Sequence, residues 1–484
     1  MSLPFGRRGV VAVIGLCLLA AVPRAAGAAA AGAGEGVPVF TLAEGIRTAF
    51  EASPRVQLAA SETKRARAQF DEAKSVLSPA FTLNGSVERS YTPPSNIPGS
   101  EEGTYGTEAS LTLAYTQVVA RTTPIRLALD LGEAGVRAAA LGEEAERLAL
   151  LSEVVNGYLA VIEADSALEV SRLLARNAAE AARIAADRFA LGSAAEADVL
   201  AAQAAEARAR QGVRVAEDSV RLARDALAQI IGLDRSADGG TERLRRLQPV
   251  EELGDLFALD EDLETLSERA LRQRPEVLQA QVALETARLS LQQHRANGRP
   301  QAELRGTYAF ADGGPALSGS LTDSGRLSGS VTHRDDFDTG AVTPLSEDAW
   351  RIGIAVTWNL ADGGARAARE RQLEEQVRQA ELRLASARSA VSTALARQYN
   401  DVVHALQDMA VADQDLLEAT ARYEAAKQQF ATGTATQMEV WQAEAALARA
   451  RHDRTLATGR LVRAQTALAA ASGLTAGELL ERLE

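Results

Sequence analysis

The sequence predicts a mainly helical, internally duplicated chain that adds four strands to a membrane β-barrel and builds an α-helical tunnel beneath it. Three observations predict this. The chain repeats itself over about 200 residues, its helices carry apolar positions every 3.5 residues, and its short strands have one polar and one apolar face.

Composition sets the frame. Aromatics make up 4% of the 484 residues, and much of the 46% that is hydrophobic is alanine. Ala, Leu, Arg, Glu and Gln favour long helices. So few bulky side chains leave each helix little core of its own, so neighbouring helices must supply the burial.

The first 28 residues read as a secretory leader. Arg7 and Arg8 form a short basic region, Val10 to Val22 is apolar, and Ala26-Gly27-Ala28 offers a cleavage site. The apolar run is shorter than the about 20 residues a spanning helix needs. Cys17 is the only cysteine and sits inside this leader; Leu16 stands where a lipoprotein signal needs a small residue, so no lipid anchor is expected. The mature chain would hold no disulfide. Removing Arg7, Arg8 and Arg24 lowers the net charge of −13 by three, to −16, which disfavours a nucleic-acid partner.

Residues 42–81 and 263–302 align at a shift of 221, matching Pro54 with Pro275, Val56 with Val277 and Pro79 with Pro300. Residues 116–233 and 357–474 align at a shift of 241, matching Phe189 with Phe430, Gly192 with Gly433 and Gly232-Leu233 with Gly473-Leu474. The extra 20 residues fall around 305–347, a stretch rich in Gly, Ser, Thr and Asp that reads as an enlarged loop. The expected organisation is a leader (1–28), a first repeat (29–233), an equatorial linker (234–261), a second repeat (262–474) and a C-terminal tail (475–484).

Each half runs in the same order. A helix comes first (41–78 and 262–299), opened in the first half by the pair Thr41 and Glu44 and stopped by Pro79 or Pro300. Two strands follow. A very long helix spans about 125–190 or 365–431, then a Gly turn, then a return helix at about 195–231 or 436–472.

The strands alternate. Phe81, Leu83, Gly85 and Val87 oppose Thr82, Asn84, Ser86 and Glu88; Ala109, Leu111, Leu113 and Tyr115 oppose Ser110, Thr112, Ala114 and Thr116. Trp350, Ile352, Ile354, Val356 and Trp358 oppose Arg351, Gly353, Ala355, Thr357 and Asn359, and a less regular strand carries Leu304, Tyr308 and Phe310. This is the pattern of a barrel with lipid outside and water inside. Trp350 and Trp358 lie roughly 26 Å apart along the strand, which suits the two aromatic girdles of such a barrel. Four strands cannot close a barrel, and open edges are excluded in lipid. Three chains would give twelve.

The return helices carry apolar seams in alternating steps of three and four. One runs Val199, Ala202, Glu206, Ala209, Val213, Ala216, Val220, Ala223, Leu227, Ile230; the other runs Val440, Ala443, Leu447, Ala450, Arg454, Ala457, Leu461, Ala464, Leu468, Ala471. The long helix of the second half has a seam from Val391 to Phe430, and that of the first half has a second seam at Leu148, Leu151, Val155, Tyr158 and Ile162. Two seams imply neighbours on two sides. An exported coiled-coil rod or adaptor without a pore would explain these seams too, but not the amphipathic strands.

The segments RFALGSAAEADVL (188–200) and QFATGTATQMEVW (429–441) resemble the paired helix-tip motifs of TolC-like outer-membrane efflux proteins, and TWNLADGG (357–364) resembles their strand exit. The resemblance covers nearly the whole mature chain, in order and in duplicate. It implies a homotrimer with a twelve-stranded barrel in outer-membrane lipid and an α-barrel crossing the periplasm. It also implies docking to a periplasmic adaptor and an inner-membrane pump of the RND or ABC type, for efflux or type I secretion. By position, Leu191, Gly192, Thr432 and Gly433 would meet the adaptor. Phe189, Phe430, Asp198, Glu439 and Gln442 would form the entrance constriction, where converging acids attract cations and raise one another's pKa. Asp198 and Glu439 read equally well as acids favoured at a helix N-terminus. The family's arginine and tyrosine latch is replaced by Ala435 and Phe430, and its second acidic ring by Gln442, so the polar latch is expected to be either absent, with closure by hydrophobic contact, or built differently.

No catalytic constellation emerges. His294, His333, His404 and His452 are scattered without ligand spacing, and no phosphate-binding Gly-Lys loop is present, so no metal or cofactor is expected and energy must come from a partner.

Overall fold

A computed structural model of the chain describes residues 39–93, 104–233, 244, 246–249, 261–311, 314–336 and 348–483. The leader at 1–28 and most of the linker at 234–261 lie outside the described residues.

The duplication is visible element by element. Helices α1 (Leu42–Ala52) and α2 (Pro54–Ser75) precede strands β1 (Ala80–Thr92) and β2 (Thr104–Val118), then α3 (Thr123–Ala190) and α4 (Glu196–Ile231). The second half repeats this with α5 (Leu263–Gln273), α6 (Pro275–Ala296), β3 (Gln301–Ala309), β4 (Ala316–Thr322), β5 (Arg326–Asp336), β6 (Ala349–Thr357), α7 (Ala365–Ala431) and α8 (Gln437–Ala471). A short α9 (Ala476–Glu481) occupies the expected tail. With 68 residues, α3 is about 100 Å long.

The first helix of each half is not continuous as expected from 41–78 and 262–299. It breaks in front of Pro54 and Pro275, where Ser53 (φ −66°, ψ 122°) and Arg274 (φ −62°, ψ 132°) are extended. Proline lacks an amide donor, and its ring pushes the preceding residue out of the helical region, so each proline starts a new helix instead. Thr41 caps α1, its hydroxyl accepting from the Glu44 amide at 3.2 Å.

Next to the strands, α3 packs against α2 and α6, and α6 packs against α7; farther along, α3 packs against α4 and α8, and α8 packs against α7. All ten seam positions of α4, and all ten of α8, are buried or half-buried. Ion pairs cross each interface: Arg224 to Asp165 between α4 and α3 at 2.9 Å, Arg463 to Glu163 between α8 and α3 at 2.7 Å, and Arg454 to Asp413 between α8 and α7 at 2.6 Å. Arg454, a polar interruption of the apolar seam, is thereby matched.

The two main cores are the same positions of the repeat used twice. Ala49, Val56, Leu150, Val154 and Leu227 lie in one, and their counterparts Ala270, Val277, Val391, Leu395 and Leu468 in the other. The first core is larger because the chain between the halves joins it. Leu244 is fully buried there, and Phe40 forms a parallel bridge with Leu247. Tyr158, also fully buried, donates its hydroxyl proton to the Phe40 carbonyl at 2.7 Å and accepts from the Gln248 amide at 2.8 Å.

Among the described residues the sheet has six strands, not the four expected, in the order β1-β2-β5-β4-β3-β6, all neighbours antiparallel. The four expected strands are present as β1, β2, β3 and β6. The stretch read as an enlarged loop supplies the other two as a hairpin. Its Gly and Ser content suggested turns, yet Leu317, Gly319 and Leu321 alternate with Ser318, Ser320 and Thr322, and Leu327, Gly329 and Val331 alternate with Ser328, Ser330 and Thr332. That is strand periodicity with small residues in it. Asp323-Ser324-Gly325 makes the turn between them, with Gly325 at φ +78°.

Candidate functional site

The register places one apolar face across all six strands. Leu113 of β2 faces Val331 of β5, Val331 faces Leu317 of β4, Leu317 faces Tyr308 of β3, and Tyr308 faces Trp350 of β6. Phe81 faces Tyr115, and Leu83 faces Leu113, at the β1 end. Among the described residues nothing covers this face: Phe81, Leu83, Val87, Trp350, Ile352, Ile354 and Val356 are each at least 66% exposed.

Aromatic residues gather at both ends of that face. The Tyr91 and Tyr105 rings lie 4.8 Å apart, tilted, and Tyr308 and Phe310 meet edge-on at 4.9 Å, at the ends remote from the helices. Phe81 and Tyr115 lie 5.2 Å apart at the helix ends. Trp350 falls in the remote group, and Trp358 follows the helix end of β6. Tyr91 and Tyr105 escaped the sequence reading, although continuing the odd-numbered alternation through 89 and 107 would have found them.

The opposite face is polar, and hydroxyls pair across it. Ser86 meets Ser110 at 2.8 Å, Thr112 meets Thr332 at 3.0 Å, Ser318 meets Ser330 at 2.7 Å and Ser320 meets Ser328 at 2.8 Å. Charges on this face are bridged too, as with Arg305 to Glu303 at 2.6 Å and Arg334 to Glu108 at 3.4 Å.

At the far end of the long helices the two turns share one geometry. Gly192 (φ +71°) and Gly433 (φ +75°) adopt the left-handed conformation. The Gly192 amide donates to the Phe189 carbonyl at 2.9 Å and the Ser193 amide to Arg188 at 2.8 Å; Gly433 donates to Phe430 at 3.0 Å and Thr434 to Gln429 at 2.8 Å. This is the Schellman closure of a helix C-terminus. Leu191, Phe189 and Phe430 are exposed by 83%, 48% and 44%, so the tips present apolar surface.

Both acids expected at the entrance are engaged locally. The Asp198 carboxylate accepts from the Ala195 amide at 3.1 Å, and Glu439 accepts from the Thr436 amide at 2.6 Å while its own amide donates to the Thr436 hydroxyl at 3.3 Å. The amide and then the hydroxyl of Thr436 hold the Glu439 pKa below the usual glutamate value. Asp198 and Glu439 start different helices, α4 and α8, that both flank α3, and Gln442 is exposed one turn into α8.

Sequence comparison decides the relationship. The profile described as outer membrane efflux protein matches residues 45–233 and 266–474, both halves of the duplication. The chain belongs to the outer membrane efflux protein family. A search of curated proteins returns no match. Among solved structures, this efflux protein is similar to a membrane protein from Pseudomonas aeruginosa (16% identity, covering 89% of this chain and 93% of that one, TM-score 0.68). It is also similar to the outer membrane protein VceC of Vibrio cholerae (17%, 89% and 96%, 0.65) and the CmeC outer membrane channel of Campylobacter jejuni (17%, 92% and 90%, 0.62). The efflux protein is accordingly an outer-membrane channel subunit with its long helices in the periplasm, and the pore-less rod is set aside.

Proposed function

We propose that three copies of this chain close into a passive duct across the outer membrane and periplasm, serving as the exit of a tripartite efflux or type I secretion machine. One observation carries the reading. Among the described residues, a single sheet with one apolar face and two unpaired edges, β1 and β6, is joined directly to helices that carry exposed apolar positions of their own. An open sheet edge is not tolerated in lipid, so copies must supply the missing neighbours. β1 leaves the helices and β6 returns to them, so β6 of one copy meets β1 of the next antiparallel, and the ring closes without a parallel step.

On this reading the aromatic groups at the two ends of the apolar face, Trp350 and Trp358 among them, sit at the two lipid–water interfaces. Phe81 and Tyr91 are ten residues apart, about 33 Å of strand, or about 25 Å of height at a tilt near 40°. That is the height of the apolar band of outer-membrane barrels, about 25 Å. The tips at Leu191, Gly192, Thr432 and Gly433 face the periplasmic adaptor, and an inner-membrane pump of the RND or ABC type supplies the energy. Phe189 and Phe430 narrow the entrance by hydrophobic contact in place of a polar latch.

The test is purification of the mature protein in detergent. Heat-modifiable trimers that insert into planar bilayers as nearly closed pores support the duct, and Phe430→Ala should raise their conductance. A stable water-soluble monomer needing no detergent would end the proposal.

A further inference from the structure

The hairpin β4–β5 changes how wide the duct is. It lies between β2 and β3 in the middle of the sheet, hydrogen-bonded on both sides. Its turn is tied to the helix end of the sheet, where the Val119 amide donates to the Gly325 carbonyl at 2.8 Å and the Thr122 hydroxyl to the Ser324 carbonyl at 3.0 Å. It therefore runs the same course as the other strands, out and back.

Its faces match theirs. Leu317, Leu321, Leu327 and Val331 continue the apolar face, and Ser318, Ser320, Ser328, Ser330 and Thr332 continue the polar one. Folding the hairpin away as a plug would break the ladders to β2 and β3 and place four apolar side chains in water. Because an even number of strands is added, every neighbour stays antiparallel and no face is inverted.

We infer that β4 and β5 are part of the barrel wall, giving six strands per copy and an eighteen-stranded barrel whose lumen passes bulky cargo about 20 Å across. This rests on the three-copy closure proposed above. Strands about 4.8 Å apart and tilted about 40° give a backbone diameter of about 24 Å for twelve strands and about 36 Å for eighteen. Side chains about 5 Å deep on each wall leave a bore of about 14 Å or about 26 Å, the first little wider than one helix of 10–12 Å. The helical part favours the wider figure. Four helix positions per copy, spaced about 9 Å, form a ring about 35 Å across, so an eighteen-stranded barrel continues the tunnel without a step. Eighteen strands also fall in the range of barrels that hold an open aqueous channel.

Cysteine labelling of the assembled protein in liposomes tests this, since Cys17 is the only native cysteine and lies in the expected leader. Ser318→Cys and Leu317→Cys are neighbours on opposite faces. A small charged thiol reagent added outside should label Ser318→Cys roughly tenfold faster than Leu317→Cys, which lipid shields. A maleimide-polyethylene glycol about 20 Å across should also reach Ser318→Cys. Equal labelling of the two positions, or labelling of Ser318→Cys by the small reagent but not the polymer, overturns the inference. Ser330→Cys, across the same hydroxyl pair, replaces Ser318→Cys if that variant does not assemble. Failure of the three-copy reading looks different: no trimer is recovered, whichever residue is changed.

Discussion

At the scale of single residues, glycine and the tip carboxylates show how position decides cost. Gly232 and Gly192 both have positive φ, but a Cβ on Gly232 would come within 2.7 Å of the Ala52 Cβ, whereas Gly192 has open space around it. Gly192→Ala should cost about 1 kcal/mol for the left-handed backbone alone. Gly232→Ala adds a clash in the core and should cost about 3 kcal/mol, and denaturant midpoints will rank the two. Tyr158→Phe, which strips a buried hydroxyl from the Phe40 carbonyl and the Gln248 amide, should cost about 1–2 kcal/mol in the same assay. Glu439 predicts a pH effect. Its pKa is depressed in the folded chain, so its capping contribution is complete above the ordinary glutamate pKa of about 4.3 and is lost as pH falls through the lowered value. Hydrogen exchange at the amides of 436–439 should therefore lose protection on acidification in the native chain. Glu439→Gln should start less protected and respond little to pH over the same range.

At the scale of elements, the long helices have more apolar surface than the chain can use. On α7, Leu382, Leu406 and Leu417 are exposed by 63%, 50% and 66%, and on α4, Leu200, Val215 and Leu222 by 59%, 54% and 64%. These positions stand outside the seams that join helices within the chain. The sequence alone does not single them out, because apolar residues also occur singly on surfaces. On the proposed three-copy closure these positions, on helices at the margins of the layer, are the contact surface for the next copy. The double variant Leu406→Asp, Leu417→Asp should shift the detergent-solubilised protein from trimer to monomer while leaving its helical content unchanged, as read by light scattering and circular dichroism. If the trimer persists, α7 does not form the contact between copies.

At the scale of the whole molecule, the duplication is used in two ways. It supplies one packing solution twice, seen in the paired cores, and the second copy then tolerates an insertion that the first lacks. The insertion sits at a sheet position where adding a hairpin leaves both faces continuous. Removing residues 314–336 should therefore still give trimers, now with four strands per copy. A Ser86→Cys reporter on the polar face should then keep its reaction with the small thiol reagent and lose that with the 20 Å polymer. Loss of assembly in the shortened chain alone would show that the hairpin is needed to match the barrel to the helical ring.

The sequence by itself determined the duplication, the long helices to within two residues at either end, the seams and four of the six strands, because these rest on periodicity and on Gly and Pro at turns. The proline breaks were misjudged because the apolar pattern runs on through them while the backbone cannot. The β4–β5 hairpin was hidden because Gly and Ser mark turns in isolation; only pairing with β2 and β3 makes that stretch a strand pair, since a ladder is formed by neighbours distant in sequence. At the tips, residue identities were legible but not their roles. Whether Asp198 and Glu439 point into a lumen or cap their own helices depends on local backbone geometry, and the fold shows both carboxylates bonded to the amides three residues before them.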